Sequence, residues 1–252
     1  MKPSISVAMP LYNMGKIVEL AIHGLVNQIA SPYWELLICE EDNKLSYGKS
    51  RVMSWKDELT KSGCVRIEYI SIKDWIPLGQ KWKILAESAS NTACFVLQAG
   101  DCLPHKSRLR ETFDAFDQKG CNYYDEQMGY FYSYSLDKTI IFNPNENYQH
   151  HCRLNMAWST QLIKKLPNND RRRIVDSFLF STLSKYEKIT KHRNYNFHKD
   201  GVDVDGYNNI SNRSKFFKEE SDIFEFTNVD LPKAIPILEK FKGLELTKNK
   251  IK

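Results

Sequence analysis

An α/β fold built on a mostly parallel sheet flanked by helices is what this 252-residue sequence predicts. Two observations predict it. Short apolar runs of strand length alternate with segments of helical spacing across the first 101 residues, giving the order β-α-β-α-β-α-β. The loops that end these runs carry proline, glycine and acidic residues, and in open parallel sheets ligands gather at the carboxyl ends of the strands.

The elements follow in order. SISVAMPL (4–11) is a short apolar run closed by a Pro-containing loop. In KIVELAIHGLVNQI (16–29), Ile17, Leu20, Ala21, Leu25 and Ile29 share one helical face. WELLICEED (34–42) is a second strand and ends in three acids. GKSRVMSWKDELTKSG (48–63) reads as one helix closing at Gly63. VRIEYISI (65–72) is a third strand, LGQKWKILAESASN (78–91) a helix, and ACFVLQAGD (93–101) a fourth strand. Beyond it the pattern is less regular. Helices are predicted over 105–119, 158–166 and 172–188, and strands or a hairpin over 122–135 and 138–143. HKDGVDVDGYNNISNRS (198–214) is a Gly/Asn/Asp loop read as a lid, and 231–246 a last helix before a frayed KNKIK tail. All of 1–252 reads as a single domain.

Composition narrows the function classes. Hydrophobic residues make up 42% and aromatic residues 12% of the chain, enough for a packed core. No stretch approaches 18 continuous apolar residues, so no membrane span is expected. The start lacks a signal peptide's apolar core. Six cysteines are scattered without a CxxC pair, which excludes a zinc ribbon or disulfide framework and predicts reduced core thiols in a cytoplasmic protein. The net charge of +5 biases the chain weakly toward anionic partners.

Several strand-end residues suit ligand chemistry. Tyr12, in the loop after the first run, offers a flat apolar edge. Lys81 lies one turn into a helix, where unpaired N–H groups favour an anion. Asp101 stands alone on a Gly/Pro turn. Two other motifs are rejected. MPLYNMGK has one Gly and one Lys, too few for the phosphate loop of a nucleotidyltransferase. Setting Asp203, Asp205 and Gly206 as EF-hand positions puts Gly201 and Asn212 where acids are required.

VAMPLYN, LLICEED, LGQKW and FVLQAGDCLP, in this order and spacing, resemble the family 2 glycosyltransferases of the GT-A fold. LNMAWSTQLIKKL and RRRIVDSFLF resemble that family's acceptor-side segment and later acidic motif, so the likeness spans most of 4–190. It implies a GT-A-like sheet in which 1–110 bind a nucleotide-diphosphate sugar, 111–230 form a more irregular acceptor side and 231–252 a C-terminal helix and tail. It implies that Pro10, Leu11, Tyr12 and Asn13 line the base, that Glu40 accepts a hydrogen bond from it, and that Lys81 faces the diphosphate. Gln98 and Gly100 would lie along the ribose and sugar. Asp101, the remaining acid of an Asp-x-Asp motif, would hold Mn²⁺ or Mg²⁺ with His198 as a further ligand. Asp176 would be the base of an inverting transfer. The family's Arg-Asn places are Ile84 and Leu85 here, and the acid before its catalytic Asp is Val175.

The acceptor implied is a hydroxyl of a glycan or glycoconjugate. A second class is a hydroxylated base in DNA, suggested by the cationic runs at Arg171–Arg173, 188–199, 213–218 and 248–252 with Tyr195, Phe197, Tyr207 and Phe216 among or near them. A reading of another kind is a degenerate member that binds nucleotide or glycan without chemistry.

Overall fold

The computed structural model describes residues 1–90, 92–133, 138–142, 154–168, 175–205 and 236–241. The strands are β1 (Ile5–Leu11), β2 (Trp34–Glu41), β3 (Cys64–Ile72), β4 (Cys94–Leu97), β5 (Cys102–Leu103), β6 (Tyr123–Glu126), β7 (Gly129–Ser133), β8 (Lys138–Phe142), β9 (Leu154–Ser159), β10 (Lys191–Asn194) and β11 (Val202–Asp205). The helices are α1 (Val18–Val26), α2 (Lys49–Met53), α3 (Lys56–Lys61), α4 (Leu78–Ser88), α5 (Arg108–Lys119), α6 (Thr160–Ile163) and α7 (Val175–Leu183). Residues Pro236–Phe241 form a 3-10 turn.

Seven strands make the central sheet in the order β10-β6-β9-β4-β1-β2-β3. β4, β1, β2 and β3 run parallel, as the alternating pattern predicts. β1 and β2 are buried along their whole length, which accounts for their near-continuous apolar composition. β3 is half-exposed along most of its length, as befits an edge. β9 enters antiparallel to both β4 and β6 and joins the two halves of the molecule. A second sheet, β5-β11-β7-β8, stands beside it.

Each face of the main sheet buries its own core. One cluster gathers Val18 and Leu25 of α1, Leu59 of α3 and Leu109 of α5 against Ile5, Val7 and Ile38. The other gathers Trp82 and Leu85 of α4, Ile163 of α6 and Leu179 of α7 against Ala8, Leu37 and Trp158. Tyr123, Trp158 and Phe180 meet edge-on or tilted, with centroids 4.5–5.9 Å apart, and dock α7 onto β6 and β9. Cys39, Cys64, Cys94, Cys102 and Cys121 are buried free thiols, as expected. Among the described residues, no helix is long and apolar enough to cross a membrane.

Two predicted helices differ. The helix expected over 48–63 breaks into α2 and α3 at Ser54-Trp55. Ser54 Oγ bonds back to the Arg51 carbonyl at 2.8 Å, while Trp55 donates its indole N–H to Tyr47 Oη at 3.0 Å. The helix expected over 158–166 begins only at Thr160, because Leu154–Ser159 continue as β9. Ser159 is the cap: its Oγ accepts from Leu162 N at 3.2 Å. The predicted 172–188 helix is seen as Val175–Leu183, and 231–246 falls largely outside the described residues. The predicted lid holds β11 over 202–205, and its part from 206 onward also lies outside them.

Candidate functional site

The chain passes β1 to β2 and β3 on one side and returns to β4 on the other, so the sheet's direction of winding reverses between β1 and β4. This is where a ligand crevice forms in such folds. The β1–β4 ladder stops at Ala8, which pairs with Leu97 and accepts from Gln98 N at 2.9 Å. Pro10 stands in the same strand phase as Ala8, so the next rung toward β4 would need the N–H that proline lacks. β2 remains paired to β1 as far as Leu11–Glu40. After Leu11 the chain turns at Asn13, whose φ of 51° is one that Asn tolerates.

The turn after β4 presses onto this loop. A Cβ at Gly100 would stand 2.5 Å from Met14 Sδ and 2.6 Å from Leu11 Cδ2, so any larger residue would have to push these two side chains aside. Asp101, half-buried, follows Gly100 on the same turn.

Three residues expected to face the donor are engaged inside the protein. Glu40 is 1% exposed; it accepts from Tyr47 N at 2.7 Å, Gly48 N at 3.0 Å and Tyr69 Oη at 2.5 Å. It folds the 42–48 loop onto β3, and burial together with this bond pushes the Tyr69 phenol well above its ordinary value. Lys81 is buried too, and its ammonium donates to the Leu11 carbonyl and to Glu41 Oε2, both at 2.5 Å. It ties the first turn of α4 to the ends of β1 and β2. Burial lowers its pKa, and the Glu41 carboxylate opposes that shift. Gln98 is fully buried, and its amide N–H groups go to the carbonyls of Ala99 (2.7 Å) and Cys102 (3.0 Å). Its Oε1 accepts from Arg108 of α5, which also reaches the Leu97 carbonyl. The residue thus braces the turn that carries Gly100 and Asp101.

Two buried acceptors are left over at the strand ends. Asn13 Oδ1 and Glu41 Oε1 have no hydrogen-bond partner among the described residues. Glu41 was missed by sequence reasoning, which took the first acid of the Glu-Glu-Asp run. The signal available was strand alternation: neighbouring residues face opposite sides of a sheet, and α4 covers the side of Glu41. Tyr12 is half-buried, with its ring centroid 5.3 Å from Lys81 Nζ.

His198 does sit among metal-type ligands, but its companions are His105 and Glu111 rather than Asp101. Its ring stacks on His105 with centroids 3.6 Å apart, and its Nε2 is 3.1 Å from Glu111 Oε2. Burial would raise the Glu111 carboxyl, yet the bonds from His198 and Ser107 and the nearby imidazoles outweigh it and hold it at about 2. Asp176 is the second residue of α7. Of the segments that suggested DNA, Arg171–Arg173, Tyr207, 213–218, Phe216 and 248–252 lie outside the described residues.

The chain matches no protein-family model and no curated protein sequence. Among solved structures it is similar to S. aureus TarS. The crystal structure of TarS 1–349 in complex with UDP-GlcNAc aligns with a TM-score of 0.61 and 11% identity, covering 81% of this chain and 59% of that one. The longer TarS structure gives a TM-score of 0.61 and 11% identity over 80% of this chain and 37% of its own. The mannosyltransferase PcManGT from Pyrobaculum calidifontis, in complex with GDP-Man and Mn²⁺, gives 0.61 and 12%, covering 97% of this chain and 71% of that one. The chain therefore spans well under half of the longer TarS structure. At such identities the likeness is one of fold, and the chain has the GT-A glycosyltransferase fold.

Proposed function

We propose that this protein transfers a sugar, with inversion, from a nucleotide-diphosphate sugar to a hydroxyl acceptor. The observation that carries the reading is the reversal of the sheet between β1 and β4, the place where ligands bind in such folds. Asp101 lies on the turn after β4, and two buried acceptors at the ends of β1 and β2, Asn13 Oδ1 and Glu41 Oε1, have no hydrogen-bond partner among the described residues. A buried acceptor without a donor costs about 1–3 kcal/mol. The N–H and hydroxyl donors of a nucleoside would remove that cost. Tyr12, half-buried, lines the base, while Glu40, Lys81 and the buried Pro10 and Leu11 keep the strand ends around it in shape. The structural neighbours crystallised with UDP-GlcNAc and with GDP-Man and Mn²⁺ support a nucleotide-sugar donor.

Asp101 fits a hard divalent cation. Mg²⁺ commonly uses one or two carboxylates and takes its other ligands from substrate phosphates and water, and Mn²⁺ suits the same oxygen donors. When bound, the ion neutralises charge on the departing diphosphate. Asp176, at the start of α7, takes the proton of the acceptor hydroxyl as its oxygen bonds to the sugar and the nucleoside diphosphate leaves. The acceptor is a glycan or glycoconjugate, met in the cytoplasm, where the five buried thiols remain reduced.

Thermal melts with nucleoside diphosphates and sugar nucleotides, with and without Mn²⁺, test the reading. A ligand at 100 times its Kd stabilises by about 2.7 kcal/mol. A shift with at least one sugar nucleotide, followed by its cleavage on incubation, is expected. No shift with any donor overturns the proposal. A shift without cleavage, with or without acceptor glycans, leaves a nucleotide-binding protein without chemistry.

A further inference from the structure

We infer that His105, Glu111 and His198 form a second cation site, selective for a nitrogen-preferring divalent ion of the zinc class and separate from the donor crevice. This inference does not depend on the glycosyl-transfer reading.

The three side chains come from separate pieces of chain. His105 precedes α5, Glu111 lies in its first turn, and His198 follows β10. One ligand atom from each falls within 4.8 Å of the other two. Two imidazole nitrogens and one carboxylate oxygen suit Zn²⁺ or Co²⁺ and are poorly suited to Mg²⁺, which prefers oxygen. Asp101 is not in the cluster.

The surroundings are those of ligands held in place. His105 Nε2 is 2.7 Å from Glu126 Oε1, and Tyr124 Oη donates to the same oxygen at 3.3 Å. The carboxylate on Nε2 orients the ring and turns Nδ1 toward Ser107 Oγ, 3.1 Å away, a contact that a bound ion would replace; carboxylate partners of this kind are characteristic of metal-bound histidines. Glu111 is held in turn, with Ser107 Oγ donating to its Oε1 at 2.8 Å and Asn194 Nδ2 to its Oε2 at 2.7 Å.

The two rings are stacked within 4° of parallel, and each nitrogen lone pair lies in its own ring plane. Sharing an ion therefore requires one ring to turn. The side chain of His198 is 17% exposed and that of His105 only 2%, so His198 is the one with room to do so. The ion would pin the 198–201 segment to α5. From there the chain enters β11, which pairs Val202 with Leu103 and Asp203 with Cys102, directly after Asp101.

The test uses the full-length protein, stripped with a chelator and titrated with Co²⁺ as a spectroscopic probe. One equivalent should bind with the ligand-field absorption of a nitrogen/oxygen site, and excess Mg²⁺ should not displace it. His198→Ala and Glu111→Ala should abolish that absorption, Glu126→Gln should weaken binding roughly 10–100-fold, and Asp101→Ala should leave it intact. X-ray absorption of the zinc-loaded wild type covers the case of a variant that fails to fold. Imidazole scattering at about 2.0–2.1 Å supports the site, and a sulfur shell near about 2.3 Å assigns the ion to cysteine and overturns it. Failure to retain Co²⁺, or loss of binding in Asp101→Ala alone, also overturns it.

Discussion

Replacing Lys81 by Met separates two roles for this residue. If the ammonium served mainly a diphosphate, the change would cost ligand affinity and little stability. The structure predicts the reverse emphasis. Lys81 is 2% exposed, and both bonds of its ammonium run to groups buried at the strand ends, the Leu11 carbonyl and Glu41 Oε2. Met fills much of the same volume but donates to neither acceptor. Glu41 Oε1 already has no partner among the described residues, so the carboxylate would then have none there at either oxygen. Removing one member of a buried ion pair costs about 3–5 kcal/mol, because the remaining charge stays buried. At about 2–4 °C per kcal/mol for a chain of this size, the melting point should fall by roughly 6–20 °C. Adding Glu41→Gln removes the stranded charge, so the double variant should recover much of that loss. The measurement is a double-mutant cycle by urea unfolding, with nucleotide affinity determined on each protein. A Lys81→Met protein that melts within about 2 °C of wild type while binding nucleotide tenfold more weakly would refute the reasoning and return Lys81 to the ligand.

Other outcomes follow from the same geometry. Asp101→Ala should remove the Mn²⁺-dependent part of the thermal shift given by a nucleoside diphosphate while barely moving the melting point of the free protein; equal shifts with EDTA and Mn²⁺ in the wild type would refute the metal role. Gly100→Ala drives a methyl into Met14 and Leu11, and overpacking of this kind costs about 1–3 kcal/mol. It should also weaken donor binding, and unchanged values for both would show that the turn has room to shift. Asp176→Asn should leave donor affinity intact and lower turnover roughly 10²–10⁴-fold, read by single-turnover kinetics; a parallel loss of donor affinity would make Asp176 a donor ligand.

What the sequence determined by itself is the part governed by local pattern. The apolar runs of β1, β2, β3 and β4 and the helices between them are continuous in the chain, so their period and order predict a parallel sheet with ligand residues at its carboxyl ends. Asp101 is found where that logic puts it, on the turn after β4, because a strand's end is a local property. Tertiary structure decided what depends on partners distant in sequence. The last two residues of β9, Trp158 and Ser159, read as the start of a helix because Leu154–Ser159 become a strand only by pairing with β4 on one side and β6 on the other. Glu40, Lys81 and Gln98 have the chemistry of ligand contacts, yet Tyr69, Leu11 and Arg108 claim their polar atoms inside the fold, 10 to 70 positions away in the chain. The same closing of distance created the His105–His198 stack. A side chain's type is written in the sequence, but a buried polar atom must find a partner, and only the folded chain decides which one reaches it first.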